Sequence, residues 1–195
     1  MTNENKIKAI VAEKGYITGK LLKENGIETW YITNMVKKGI LERIGRGIYI
    51  PNNGVYDERF VFQYNNTKAI YSYSNALYLH NLTDYIPTQL EVTVYQGYNT
   101  HRFEENIDVH YVKKSIYMLG IMECDSVFGN KIKIYDRERT LCDLLAKRRN
   151  MESEIFKMAF QKYFNNVDKD IIKLMKYAKL MNVETEMFEI IEVMN

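Results

Sequence analysis

The stretch from Gly26 to Ile50, GIETWYITNMVKKGILERIGRGIYI, constrains this chain more than any other. Glycines divide it. Gly26 closes the preceding turn, Gly39 stops a helical segment over residues 28–38, and Gly45 and Gly47 flank Arg46 between two short β-branched runs. At 100° per residue, Ile32, Met35 and Val36 fall on one face of that helix, with Tyr31 at its margin. Trp30, Thr33, Asn34 and Lys37 fall on the other. That face is odd for a solvated one, because it carries the only Trp of the chain.

A helix whose outward face mixes an aromatic ring, an amide, a hydroxyl and a cation, followed by a basic-tipped hairpin, fits the recognition helix and wing of a winged helix-turn-helix. Double-stranded DNA is then the expected partner. Thr29 stands at the helix end that meets base edges or phosphates. Asn34 has the chemistry for a bidentate contact to adenine, worth about 1–3 kcal/mol of discrimination. Trp30 offers a surface for a thymine methyl or a sugar edge; its other reading is packing against the wing or a second domain. Lys37 and Lys38 suit phosphates. Thr18 and Lys20, at the start of the preceding helix, complete the set, Thr18 also being an N-cap residue and Lys20 also an ordinary solvated charge. At the hairpin tip the glycines permit a positive φ and leave room for close approach to a groove, so Arg46, with Arg43 beside it, reads as the wing cation.

Net charge supports this through its distribution. Residues 1–56 hold nine Lys and Arg against five Asp and Glu, whereas residues 57–195 hold 18 against 20. A basic head on a near-neutral body is what a DNA-reading module attached to something else shows. The chain of 195 residues is 46% hydrophobic and 27% charged, enough for a sizeable core. No apolar run approaches 18 residues and the start, MTNENKIK, is polar, so neither a membrane span nor a secretory signal is expected, and the reading is cytoplasmic. Cys124 and Cys142 stand alone, as thiols in a reducing compartment do.

In chain order, residues 6–14 form a helix closed by Gly15, and Thr18 caps a second helix running to Asn25. The expected head core is Ile7, Ile10, Val11, Leu21, Leu22, Ile32, Val36, Leu41 and Ile48. Pro51-Asn52-Asn53-Gly54 is the one Pro/Gly/Asn cluster between two patterned regions. It divides a winged helix over 1–50 from a domain over 57–195, with 51–56 as linker. That domain opens with short helices at 57–65 and around Ala76, Leu77 and Leu79. Alternating runs follow at 90–95, 107–112, 121–124 and 131–135, and their close spacing predicts antiparallel meander pairing. From Asp136 the period becomes helical, with helices to about Lys147 and over 152–164, 168–180 and 184–194. The fold class is α+β, an antiparallel-rich sheet followed by C-terminal helices.

Three segments taken together, the head with its GIYIP end, SYSNALYLHNLTDYIP and YDRERTLCDLLAKRR with the helices after it, resemble the AbiEi family of antitoxins. The resemblance implies an N-terminal winged helix that binds inverted repeats in the promoter of its own operon and represses it. It also implies a C-terminal domain that counteracts a nucleotidyltransferase-type toxin in a bacterial abortive-infection (phage-defence) module. Such systems are type IV, in which antitoxin and toxin need not touch. Asn75 departs slightly from the usual pattern in the second segment. The family supplies no catalytic residue to carry over.

Other constellations are weaker. Asp136 at a helix start, with Glu138 and Arg139 in the first turn beside it, reads as capping and ion-pairing rather than hydrolysis. Glu91, Glu123, Lys131 and Lys133 on strands imitate a metal-dependent nuclease without a second carboxylate at close spacing. His80, His101 and His110 have no ligand spacing, and His110 reads as a solvent-face residue of a strand. No cofactor, metal or catalytic group is expected. Lys113 and Lys114, with Lys147, Arg148 and Arg149, are basic clusters of the second domain that would extend a phosphate track if they align with the head. Two rival functions stay open: a transcriptional regulator whose second domain senses a ligand or mediates assembly, and a nuclease.

Overall fold

The structure is a computed structural model that describes residues 2–103, 105–148 and 152–194. Its internal contacts divide the chain into two compact units, residues 1–66 with 127–130, and residues 67–126 with 131–195.

The first unit runs α1 (Asn3–Lys14), β1 (Ile17–Thr18), α2 (Gly19–Glu24), α3 (Thr29–Lys37), β2 (Leu41–Gly45), β3 (Ile48–Pro51) and α4 (Glu58–Asn65). Local chemistry sets the helix ends. The Thr2 hydroxyl accepts from Asn5 N–H to start α1, and Gly15 at φ 77° ends it. Thr18 does the same for α2 through Leu21 N–H, and Gly26 at φ 64° makes the turn toward α3. The three strands form an antiparallel sheet in the order β1-β3-β2, so the expected two-stranded hairpin gains a third strand from Ile17 and Thr18. Ile7, Val11, Leu22, Ile32, Leu41 and Ile48 are buried as expected, whereas Ile10, Leu21 and Val36 only pack against that core partly buried, and Met35 of the same α3 face is fully buried instead. Ile17 and Ile27 join them from connections too short to show a period.

Residues 51–56 are not a linker between units. Pro51 belongs to β3, Gly54 N–H bonds back to Pro51 O at 2.9 Å, and α4 lies within the first unit. Asp57 caps α4 through Phe60 N–H at 3.1 Å and also accepts from Asn130 at 2.8 Å. The Phe60 and Tyr16 rings meet with centroids 4.5 Å apart. A Cβ on Gly45 would fall 2.5 Å from Asn65 Nδ2, so the wing strand and α4 pass in close approach.

The second unit comprises β4 (Ile70–Tyr71), α5 (Tyr73–Leu79), β5 (Leu90–Tyr95), β6 (Ile107–Val112), α6 (Lys114–Tyr117), β7 (Ile121–Asp125), β8 (Lys131–Tyr135), α7 (Arg137–Ala146), α8 (Ser153–Phe164), α9 (Ile171–Leu180) and α10 (Glu184–Met194). The α+β class holds, but the sheet is mixed rather than a meander. Its order is β6-β5-β4-β8-β7, with β5–β6 and β4–β8 parallel and the other two pairs antiparallel. The reason is β4, a two-residue strand with no alternation to read, which inserts at the centre and sends β6 and β7 to opposite edges. Apolar faces of α7 to α10 close over a core that includes Leu141, Leu144, Phe160, Tyr163, Leu174 and Met187. Among the described residues, no helix is long and apolar enough to cross a membrane.

Candidate nucleic-acid interface

Helix α3 begins without a side-chain cap at Glu28 and stops at Lys38 and Gly39, the latter at φ 68°. Ile32 and Met35 anchor its inner face at 2% and 0% exposure. The outer face is open. Trp30 is 52% exposed, Thr29, Thr33 and Lys37 are exposed, and Asn34 is half-buried. The Trp30 ring is not free to wander, because it stacks on Tyr31 with centroids 4.0 Å apart and planes at 28°. Tyr31 itself packs against the head core. The Thr33 hydroxyl turns back and donates to Thr29 O at 3.4 Å.

The hairpin is equally open at its tip. Gly45 pairs with Ile48, leaving a two-residue turn of Arg46 and Gly47 in which Gly47 takes φ 72°. Gly45 has no positive φ, so its need for a glycine is the approach of Asn65 rather than the turn. Arg46 is exposed at the apex, and exposed Arg43 lends its Nε–H to Gly45 O at 3.0 Å, bracing the strand beneath it. Neither the Lys37 nor the Arg46 side chain makes a hydrogen bond or ion pair among the described residues.

Three other head positions resolve between the readings offered for them. Thr18 is 2% exposed and its hydroxyl is spent on Leu21 N–H at 3.2 Å, so it positions α2 and presents no side chain to a ligand. Lys38 is drawn to Glu4 at 3.0 Å. Lys20 is 77% exposed and only loosely paired with Glu24 at 3.8 Å. An exposed pair of this kind contributes under about 1 kcal/mol and yields readily to a phosphate.

The basic clusters of the second unit separate on inspection. Lys113 and Lys114 are exposed, with Lys114 5.3 Å from the Tyr95 ring, and Arg148 lies 5.1 Å over Phe156. Arg149 lies outside the described residues. Lys147 turns inward and bonds to His110 Nδ1, with its ammonium 4.9 Å from the Tyr73 ring. His110 is therefore not a solvent-face residue. Its Nε2 meets Glu91 Oε1 at 2.6 Å, and the other Glu91 oxygen takes the Ser74 N–H at 2.9 Å and hydroxyl at 2.5 Å. Burial alone would raise the Glu91 carboxyl, but the bonds from His110 and Ser74 outweigh it and hold the group below the ordinary carboxylate range.

That arrangement answers the nuclease constellation. Glu91 lies on β5 and Glu123 on β7, with β4 and β8 between them, and the Glu91 carboxylate is already satisfied. Glu123 pairs in register with Lys133 across a hairpin, and Lys131 is held by Asp125 at 2.8 Å. Asp136 does cap α7, accepting Arg139 N–H at 2.8 Å. Beyond that cap, Lys173 bridges Asp136 and Glu138 at 3.1 and 2.7 Å. Arg139 is wholly buried against Asp143 at 3.1 Å, and its Nη1 donates to Ile116 O and Leu119 O. The expected ion-pairing around Asp136, Glu138 and Arg139 is found, but sequence reasoning missed its partners Asp143 and Lys173, the one signal being the i, i+4 spacing of Arg139 and Asp143.

Similarity to known proteins is uneven along the chain. No curated protein sequence matches it. Among solved structures, the fold is similar to that in "Crystal structure of RV2827C protein from Mycobacterium tuberculosis", with a TM-score of 0.58 over 89% of this chain and 69% of that one. At 9% identity the likeness is one of fold alone. The segments SYSNALYLHNLTDYIP and YDRERTLCDLLAKRR lie outside the family match, which falls on the head. Residues 5–52 match the AbiEi_4 family, described as "Transcriptional regulator, AbiEi antitoxin", and a regulator or antitoxin role is what that match supports.

Proposed function

We propose that this protein is the antitoxin and transcriptional autorepressor of a bacterial abortive-infection module, acting in the cytoplasm. The first unit reads inverted repeats in its own promoter. The second supplies the activity that counteracts a nucleotidyltransferase-type toxin, with or without touching it. The observation that carries the DNA-reading half is the outer face of α3, where Trp30, Thr33 and Lys37 are exposed above a buried apolar base. Exposed Arg46 on the wing supplies a second point of attachment. Phosphate contacts by Lys37 and Arg46 would fix the head on the duplex, and the remaining α3 side chains would read base edges. The antitoxin half rests on the family match of residues 5–52 and on the wider resemblance of the sequence.

Two measurements test the reading. The full chain should retard its own upstream DNA in a gel shift and leave unrelated DNA of equal length free. It should also restore growth when co-expressed with a toxin encoded next to it. Binding with no rescue would reduce the proposal to a regulator; rescue with no binding would remove the autorepressor.

A further inference from the structure

Trp30 is the residue of the head whose placement is hardest to explain by folding alone. Its indole is half-exposed, yet it is not mobile filler, since Tyr31 covers one ring face and is itself held by the head core. What remains for a partner is one face and the outer edge. Side chains that wedge into a base step insert between two bases, and a ring with one side already occupied cannot do that. An indole on a recognition helix must instead lie against whatever the groove presents.

In the major groove nearly every base-edge group is polar: N7, O6 and O4 acceptors and N4 and N6 donors. Carbon surface laid on those atoms strips their water and returns no hydrogen bond, which is unfavourable. The thymine C5-methyl is the exception. Thr33, one turn along the same face, fits the match, because its exposed side chain has its hydroxyl turned back to Thr29 O rather than free for a base-edge acceptor. We infer that this chain selects its operator partly by seating a thymine methyl on the free face of Trp30. The inference rests on the DNA-reading role proposed above and narrows it to one base chemistry.

The test uses the full chain and a duplex that it selects from a randomised library. Each thymine of that duplex is replaced singly by deoxyuridine, which removes only the methyl, and affinity is measured for the wild type and for Trp30→Ala. One thymine should be found whose demethylation weakens the wild type about fourfold, the effect of one buried methyl-sized group, and leaves Trp30→Ala unaffected. As Trp30 is the only Trp, its emission reports the contact directly, and a blue shift without strong quenching is expected. Trp30→Ala should melt within a few degrees of the wild type, because the side chain is exposed.

Tight binding in which no thymine is coupled to Trp30 overturns the inference and leaves the DNA-reading role standing; the indole then lies on sugars. Strong quenching of the Trp30 emission, with no single thymine coupled to it, overturns it in favour of stacking on bases. Failure to select any duplex removes the DNA-reading role, and this inference with it.

Discussion

The two units differ in where their most committed charges lie, although the first also holds the exposed Lys38–Glu4 and Lys20–Glu24 pairs and the second exposes Lys113, Lys114 and Arg148. In the first, Lys37 and Arg46 stand exposed and unpaired among the described residues. In the second, Arg139 is sealed against Asp143, Lys173 is shared by Asp136 and Glu138, and Lys147 is committed to His110 beside Glu91. A cation already neutralised by its own protein has little left for a polyanion, and a buried pair broken on one side leaves an uncompensated charge. The contrast teaches that counting Lys and Arg along a segment says less than asking which of them the fold has already used. The Lys147-Arg148 pair shows this within two residues, one side chain turned inward and the other exposed over Phe156.

The sharpest way to break the contrast is to open the interior of the second unit. Arg139→Ala should cost about 3–5 kcal/mol in urea unfolding of that unit, because Asp143 would be left buried without its partner. A loss below about 1 kcal/mol would mean that the pair is not an internal sink of charge. Gly120→Ala should follow, at about 1–3 kcal/mol. Gly120 sits at φ 76°, and an added Cβ would fall 2.7 Å from Arg139 Cβ and 3.0 Å from the capping oxygen of Asp136. Neither change should alter DNA affinity by more than about twofold if the head works on its own residues.

Acid should separate the units next. Glu91 and Glu138 are both held below the ordinary carboxylate value, so burial is outweighed in each case by bonds to the ionised form. Their stabilisation is complete above the unfolded value near 4.5 and is lost as the pH falls through the lower folded values. Glu91→Gln should therefore flatten the acid limb of the second unit's stability profile while lowering stability at neutral pH. An unchanged acid limb would contradict the bonding given to Glu91.

On the head, Lys37→Ala and Arg46→Ala should each weaken DNA binding and flatten the slope of log K against log[salt] by about 0.9. Stability should be unmoved. Lys38→Ala comes last, with a change of under about 0.5 kcal/mol in stability, since the Glu4 pair it breaks is exposed. An effect of Lys38→Ala on binding as large as that of Lys37→Ala would show that the pair opens when DNA arrives.

Most elements were legible because they repeat. The helical period of Ile32, Met35 and Val36 and the alternation in β5, β6 and β8 carry their own signal over several residues. What escaped was short or non-local. The two-residue strands β1 and β4 show no period, yet β1 completes the head sheet and β4 decides the order of the other. His110 alternates like a surface residue, and only the fold brings Tyr73 of α5 and Lys147 onto it. At the candidate interface, the exposed Trp30, Thr33 and Lys37 and the capping role of Thr18 could be read from the sequence, whereas the bracing of Trp30 by Tyr31 emerges only in the fold.

Helix α4 has a practical consequence for anyone dissecting this chain. The apparent stop at Pro51 invites a cut there, but Phe60 covers Tyr16 and Asn65 lies over Gly45, so such an excision would strip the wing of its backing. The smallest piece that keeps the head's own neighbours ends at Asn66, and even that piece lacks the Asn130 amide that tethers Asp57. A truncated head that binds DNA poorly would then report a missing buttress rather than a missing contact.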